Sequence, residues 1–218
     1  MKEIIRQLEI AVAEMFNAQS CGHDLKHLKR VLNLALTIQK KEGGDKIIIG
    51  VAAFLHDIHR VMQKDHGRYI SPLDSLPKIK ELLAPLKLSE GQKEKILHCI
   101  EFHEEYNFAK SGKTVHDLET LIVQDADNLD AIGAIGIARC FAYGGAHQIA
   151  MWLPEISLKQ KSYSAEKHDP SSIHHFYNKL LKLQDDMNTA TAKKMAASRH
   201  KYMKKFLQEF FAEWQGEK

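Results

Sequence analysis

Apolar residues recur at helical spacing along almost the whole chain. No segment combines strict apolar–polar alternation with the β-branched and aromatic residues of a half-buried strand. We therefore predict an all-α protein that forms a single-domain helical bundle over residues 1–218. The predicted helices cover 2–17, about 24–41, a segment that starts after Asp45 and runs through Met62, a short segment ending at Pro85, 90–105, about 116–143 and two segments within 172–214. Asp45 is the candidate N-cap of the third helix, and Ser89 and Gln92 form a capping-box pattern at the start of helix 90–105.

Glycines, prolines and polar residues mark the predicted interruptions. Residues 65–77 are expected to be a loop, and a bend is expected at Gly133 or Gly136. Residues 146–171 have two prolines, no periodicity and many polar residues. Irregular segments of this length in compact domains are usually functional or disordered, so we expect this one to lie close to a functional site.

The composition fits a folded protein without a dominant surface charge. Of 218 residues, 44% are hydrophobic, and 31 lysines and arginines against 28 aspartates and glutamates leave a net charge of +3. This balance is too small to drive nucleic-acid or membrane binding across the whole surface. The N-terminal segment lacks a cleavage site and no stretch is long enough for a bilayer span, so we expect a cytoplasmic monomer or homodimer.

Thirteen histidines stand beside only three cysteines, Cys21, Cys99 and Cys140. The cysteines are far apart and form no CxxC pair, which argues against a disulfide framework and against a thiolate zinc site. If the chain binds a metal, its ligands are therefore expected to be imidazoles and carboxylates.

Two segments place histidines among apolar residues. His27 shares one helical face with Val31, Leu34, Ala35 and Ile38, so it is expected to point toward the core. A histidine and a carboxylate, His56 and Asp57, end the most apolar predicted helix. Burying an unpaired charge or imidazole is costly, and a bound cation would satisfy both groups.

A third segment, LIVQDADNLDAIG, places Asp125, Asp127 and Asp130 among aliphatic residues. Three buried acids repel one another unless something positive lies among them. Periodicity alone favours Asp125 as the inward-facing acid. Two imidazoles with two carboxylates suit a divalent ion such as Mn, Mg, Fe, Co or Ni and leave positions open for water and substrate.

These residues resemble the HD-domain phosphohydrolases. The matching segments are HLKRV (27–31), AAFLHDI (52–58) and DADNLDAIGAIGIAR (125–139). The similarity covers about 20–140, where it implies a metal-site core. The helices in 172–214 are similar to one branch of small bacterial HD hydrolases and are expected to pack on that core.

The resemblance implies metal ligands at His27, His56, Asp57 and one aspartate of the last segment. The family pattern of Ala-Asp followed by Leu favours Asp127, and Asp125 is then expected to orient a ligand histidine. Such a site activates water for attack on phosphorus. We predict a catalytic role for Asp57 in addition to its role as a ligand.

The expected substrate is anionic, so cations near the ligands are candidate binding groups. Arg30 and Arg60 follow His27 and His56 by one helical turn, and either phosphate contact or surface salt bridging fits them. Several similar HD branches that hydrolyse nucleotides carry a carboxylate where this chain has Arg60. His98 and His103 are candidates for the missing catalytic role, as proton donors or as ligands to a second metal.

Residues 159–205 hold 11 lysines and arginines against four acids. A solvated helix face accounts for most such segments. The functional alternative is that Lys179 and Lys182, with His174, His175 and Tyr177, line a phosphate-binding opening.

We therefore predict a divalent-metal-dependent phosphohydrolase acting on a small phosphorylated metabolite, with a nucleotide as the favoured class. It would release pyrophosphate from triphosphates or phosphate from monophosphates. The alternatives are a phosphodiesterase for a cyclic nucleotide or dinucleotide, and a nucleotide-sensing domain without turnover.

Overall fold

The computed structural model describes residues 1–17, 22–109, 115–159 and 167–217. In this part of the chain the regular elements are helices, and one isolated bridge pairs Ala150 with Ser171. The predicted all-α fold class is confirmed. The helices are α1 (Lys2–Asn17), α2 (Leu25–Glu42), α3 (Lys46–Leu55), α4 (Ile58–His66), α5 (Pro72–Leu83), α6 (Glu90–Phe102), α7 (Leu118–Asp130), α8 (Gly133–Ala146), α9 (Ser172–His175) and α10 (Ala190–Gln215).

Helix α3 lies at the centre of the fold. Every residue from Ile48 to Leu55 is buried, which fits its apolar character on all sides. It packs against α2, α6 and α7, while α10 packs against α2, α7 and α8. The core side of α2 carries His27, Val31, Ala35 and Ile38, as the periodicity predicted. This packing brings the start of α2, the end of α3 and the end of α7 together.

The predicted helix from Asp45 through Met62 is interrupted. Asp45 caps its start as expected, accepting hydrogen bonds from the backbone N–H groups of Ile47 and Ile48. The helix ends at Leu55, and Asp57, with φ −93° and ψ 13°, precedes the new helix α4. The Asp57 carboxylate makes no cap contact with α4, because it is directed toward two histidines instead.

Other predicted boundaries also need correction. The predicted helix 116–143 is two helices, separated at Gly133, whose φ is +78°. Helix α5 begins within the predicted loop, because Ser71 and Asp74 form a capping box and Pro72 occupies the first helical position, where a proline is tolerated. The first helix expected in 172–214 is only the four-residue α9, followed by a π-helical turn over Phe176–Leu180.

Some predictions fall beyond the described residues. Cys21 and residues 160–166 of the predicted irregular segment lie outside them. The remaining cysteines, Cys99 and Cys140, are both free thiols. Within the described ranges, no helix is both long enough and apolar enough to cross a membrane.

Candidate metal centre

Three helix ends deliver four side chains to one buried cluster. His27 lies in the first turn of α2, where the Asp24 side chain accepts a hydrogen bond from its backbone N–H at 2.8 Å. His56 and Asp57 occupy the interruption between α3 and α4, and Asp127 lies in the last turn of α7. The two histidines are fully buried, whereas the Asp127 side chain is 16% exposed and opens toward a cavity.

The donor atoms of these residues converge within a few ångströms. The two imidazole Nε2 atoms lie 3.2 Å apart. His27 Nε2 lies 3.1 Å from Asp57 Oδ2, and His56 Nε2 lies 3.6 Å from Asp57 Oδ1. Asp127 Oδ1 is 3.5 Å from both Nε2 atoms. The four predicted ligand side chains are thus brought together.

The protonation pattern of the histidines fits a cation in this cluster. His27 Nδ1 donates to Asp130 at 2.8 Å, and His56 Nδ1 donates to the Ala53 carbonyl at 3.0 Å. Because each Nδ1 donates to its own acceptor, only the Nε2 atom of each ring faces the other ring and the two carboxylates, and it offers a lone pair to a cation whenever it carries no proton. Four electron-rich groups at this separation repel one another unless a positive charge lies among them, which a divalent ion provides.

When no cation is bound, a proton on His56 supplies the positive charge within the cluster. Burial lowers the pKa of the His56 imidazole, but the nearby carboxylates of Asp57 and Asp127 outweigh burial and raise it to about 9. Burial favours neutral carboxyls as well, yet His56 and the other histidines hold the pKa values of Asp57 and Asp127 below their usual range. The site is therefore built to hold positive charge between two ionised carboxylates.

Asp130, not Asp125, holds the imidazole of His27, one of the predicted ligands. Asp130 accepts from His27 Nδ1 and is itself held by Arg30 at 2.8 and 2.9 Å and by Arg139 at 2.9 Å. Burial favours its neutral form, but these donors keep the pKa of Asp130 well below its usual range.

The predicted orienting role of Asp125 is wrong. Asp125 accepts from the backbone of Asn188 and from the backbone and hydroxyl of Thr189, at 2.7–2.8 Å. It therefore anchors the segment that begins α10. The aliphatic periodicity of α7 correctly indicated that Asp125 is buried, but burial alone did not reveal its partner.

His23 also lies at the cluster, although the sequence pattern did not single it out. Its Nδ1 donates to Asp57 Oδ2 at 2.7 Å, and its ring lines the cavity. Burial lowers the pKa of His23 to about 4 despite the Asp57 charge, so the imidazole is neutral at pH 7. Its position just ahead of the predicted helix gave no periodicity signal.

The four predicted substrate-binding cations separate into two groups. Arg60 and Lys179 line the cavity beside Asp127. Arg30 instead directs its guanidinium at Asp130, so salt bridging describes it better than phosphate contact. Lys182 lies over the Phe108 ring, 5.5 Å from its centroid, and does not line this cavity.

Of the two candidate catalytic histidines, one lies next to the cluster and the other does not. His98 is exposed and bonds Asp117 at 3.0 Å, so the structure does not bring it to the cluster. His103 is 1% exposed, and its ring centroid lies 5.1 Å from that of His56. His59 and Glu104, which periodicity did not single out, lie beside His103.

The cavity next to the cluster measures about 720 Å³. Six cationic side chains line it against three carboxylates, Glu104, Asp127 and Asp169. The cations are Arg60, Lys64, Arg68, Arg139, Lys167 and Lys179. Tyr143 and His147, whose rings stack at 3.9 Å, also line this cavity.

Of the histidines predicted to line the opening, His175 does so, whereas His174 is buried and bonds Ser171.

Comparison with known proteins places this arrangement in a family. The HD domain model matches residues 24–132. YpgQ of Bacillus subtilis is 33% identical over 211 residues, covering 96% of this chain and 94% of YpgQ.

Solved structures agree with this assignment. A crystal structure of an HD-superfamily hydrolase from Bacillus thuringiensis has a TM-score of 0.72 and 35% identity, covering 98% of this chain and 97% of its own. B. subtilis YpgQ in complex with ADP has a TM-score of 0.70 and 31% identity, covering 94% of both chains. The model matches half of the chain, over a range that includes the four clustered side chains, and this shows that the chain belongs to the HD domain family.

Proposed function

We propose that the protein is a divalent-metal-dependent phosphohydrolase whose substrate is a nucleotide. The observation that carries the proposal is the convergence of His27, His56, Asp57 and Asp127 beside a cavity with a cationic wall. A divalent ion held by such ligands polarises phosphoryl oxygens and makes water a better nucleophile at neutral pH.

The cavity suits a nucleotide in size and charge. About 300–1,000 Å³ is the usual range for small-molecule sites, and this one measures about 720 Å³. Arg60, Arg139 and Lys179 supply positive charge for phosphate oxygens. Tyr143 provides an aromatic surface on which a base can stack. The complex of the relative YpgQ with ADP supports the same substrate class.

His23 is the group we assign to proton transfer. In similar branches a carboxylate stands at the position of Arg60, and here that guanidinium is paired with Glu104. His23 lies on the cavity wall, and its Nδ1–H bond to Asp57 leaves Nε2 as an acceptor. A neutral imidazole beside the ligands is suited to take a proton from attacking water.

The test is hydrolysis of a nucleotide panel by the purified protein with Mn²⁺. Triphosphates, diphosphates, monophosphates and cyclic nucleotides are incubated with the wild type and with His56→Ala, and products are separated by ion-exchange chromatography. Pyrophosphate release indicates a pyrophosphohydrolase, whereas orthophosphate release from monophosphates indicates a phosphatase. For either product, the proposal requires that His56→Ala abolish turnover and that His98→Gln preserve it.

Two results would overturn the proposal. Binding of nucleotide without turnover would favour a sensing domain. Turnover that persists in His56→Ala would show that the hydrolysis occurs elsewhere or in a contaminant.

A further inference from the structure

An aspartate and a histidine form a pair on the cavity wall, outside the metal cluster. His175 is the last residue of α9, and its Nδ1 lies 2.7 Å from Asp169 Oδ2. The other oxygen of Asp169 accepts a hydrogen bond from the Asn178 side chain at 2.6 Å. Asp169 and His175 both line the cavity, and neither is a ligand in the proposed metal centre. The metal centre therefore leaves this pair without a role.

The contact with Asp169 determines which His175 nitrogen carries the proton. Burial raises the pKa of Asp169, but the donors His175 and Asn178 hold it below its usual range, so the carboxylate is ionised and only accepts. Burial lowers the pKa of His175, and the charges of Lys179 and Arg139 act in the same direction against Asp169. The ring is therefore neutral at pH 7, with its proton on Nδ1 and a lone pair on Nε2.

The Nε2 atom of His175 is an acceptor on a wall that otherwise supplies positive charge. The His175 side chain is 32% exposed, and among the described residues only Asp169 bonds its ring, through Nδ1. Phosphate oxygens accept hydrogen bonds, so the cationic side chains of this cavity suit them and a lone pair does not. An acceptor held in this place is suited to a donor group of the ligand, and the donors of a nucleotide are its sugar hydroxyls and base N–H groups.

His175 adjoins the two parts of the wall that suit the two ends of a nucleotide. On one side is Lys179, four residues further along the chain, whose positive charge acts on the imidazole. On the other side, Asp169 directly follows His168, whose Nδ1 lies 3.3 Å from the hydroxyl of Tyr143, the proposed surface for the base. Because a sugar joins the base of a nucleotide to its phosphates, a group next to both parts is placed to contact the sugar.

We propose that His175 Nε2 accepts a hydrogen bond from a sugar hydroxyl of the bound nucleotide, and that Asp169 positions the ring for this contact. The inference rests on the proposed nucleotide substrate and names the part of it that this wall recognises. Two other contacts are outcomes of the test: a bond from an amino group of the base, and a bond from a protonated ring to a phosphate.

The test is calorimetric titration of the purified protein in the presence of Ca²⁺, with chromatography afterwards to verify that each nucleotide is intact. The probes are ADP, 2′-deoxy-ADP, 3′-deoxy-ADP, inosine diphosphate and pyrophosphate. Each deoxy analogue lacks one hydroxyl, inosine diphosphate lacks the amino group of adenine, and pyrophosphate lacks both sugar and base. We expect the wild type to bind ADP about three- to tenfold more tightly than one of the deoxy analogues, the effect of one hydrogen bond between neutral groups.

His175→Phe keeps a ring and removes both nitrogens, and His175→Ala is a second variant should the first fail to fold. Both are expected to bind ADP and that deoxy analogue equally, to lose the same factor for ADP and inosine diphosphate, and to bind pyrophosphate as the wild type does. His147→Phe is the matched control. His147 also lines the cavity, and because its Nδ1 bonds the Tyr143 carbonyl at 2.9 Å it offers Nε2 as another acceptor, but it stacks on Tyr143. This variant is expected to keep the preference for ADP, and thermal unfolding verifies the folding of each variant.

The outcomes separate this inference from the proposed function. Equal binding of ADP and both deoxy analogues by the wild type would overturn the inference and leave the substrate class standing. A preference that persists in the folded His175 variants would overturn it as well. So would a loss of pyrophosphate affinity in these variants, which indicates a phosphate contact, or a loss for ADP alone, which indicates a contact with the base amino group.

Loss of the preference in the His175 variants and not in His147→Phe would support the inference, even if no nucleotide is hydrolysed. A wild-type protein that binds none of the nucleotides would overturn the proposed substrate class and this inference together.

Discussion

Asp130 holds His27 in place through a 2.8 Å hydrogen bond between its Oδ2 and the imidazole Nδ1. The two residues lie on different helices, α7 and α2, and their contact fixes which His27 nitrogen faces the cluster. Arg30 and Arg139 keep the Asp130 carboxylate ionised and aligned. Outer partners of this kind are known to matter nearly as much as the ligands themselves.

Asp130→Asn is expected to weaken Mn²⁺ binding at the proposed centre of His27, His56, Asp57 and Asp127 by about 10–100-fold, the range typical for loss of such a partner. The amide cannot provide the charge that favours Nδ1–H, and it leaves two guanidinium groups without their carboxylate. Calorimetric titration measures the change. Asp125→Asn is the control, because that residue contacts Asn188 and Thr189, so it is expected to alter stability and not cation affinity. Equal effects of both substitutions on affinity would contradict the orienting role.

The affinity for Mn²⁺ is expected to rise with pH. Burial lowers the pKa of His56 but the neighbouring carboxylates raise it to about 9, so below that pH the metal-free cluster holds a proton that a cation displaces. Displacement of one proton makes the dissociation constant fall about tenfold per pH unit between pH 6 and 8. Titrations in buffers of different ionisation enthalpy measure the protons released. A constant affinity with no proton release would contradict the prediction.

Lys179→Met is expected to raise the KM for a nucleotide substrate by about tenfold, the effect of losing one charge-assisted phosphate contact. Lys182→Met is the matched control. Both lysines belong to the same basic segment and both lie over aromatic rings, but Lys179 lines the cavity and Lys182 does not. Steady-state kinetics at saturating Mn²⁺ distinguish the two. An equal rise in KM for both variants would show that the basic segment acts through its overall charge.

Gly136→Ala is expected to destabilise the fold by about 1–3 kcal/mol, as overpacking generally does. A Cβ atom at this position would lie 2.1 Å from the Ala131 carbonyl oxygen, which belongs to the backbone and cannot move aside cheaply. Gly145→Ala, in the same helix, meets nothing within 4 Å and is expected to leave stability unchanged or slightly raised. Urea unfolding followed by circular dichroism compares the two. Similar stabilities would show that the start of α8 adjusts to the added methyl group.

The sequence alone determined the all-α class and the elements whose signals are local. Asp45 and Ser89 cap the helices they were predicted to cap, since capping depends on residues only a few positions apart. The inward faces of α2 and α3 followed from apolar spacing, and so did the burial of His27 and His56. The identity of the four clustered side chains came from these faces together with a family resemblance.

Only the tertiary structure decided which partner each buried polar group has. Asp125 and Asp130 lie on the same apolar helix, yet one anchors α10 and the other orients His27. Helix packing sets those contacts, which join residues 64 and 103 positions apart in the chain. His23, His59 and Glu104 gave no periodic signal, and their proximity to the cluster arises from the interruption at Asp57 and the end of α6. Interactions between residues close in sequence determine where the helices form. The hydrogen bonds and ligand sets depend on long-range packing, because they require ångström-scale distances between elements far apart in the chain.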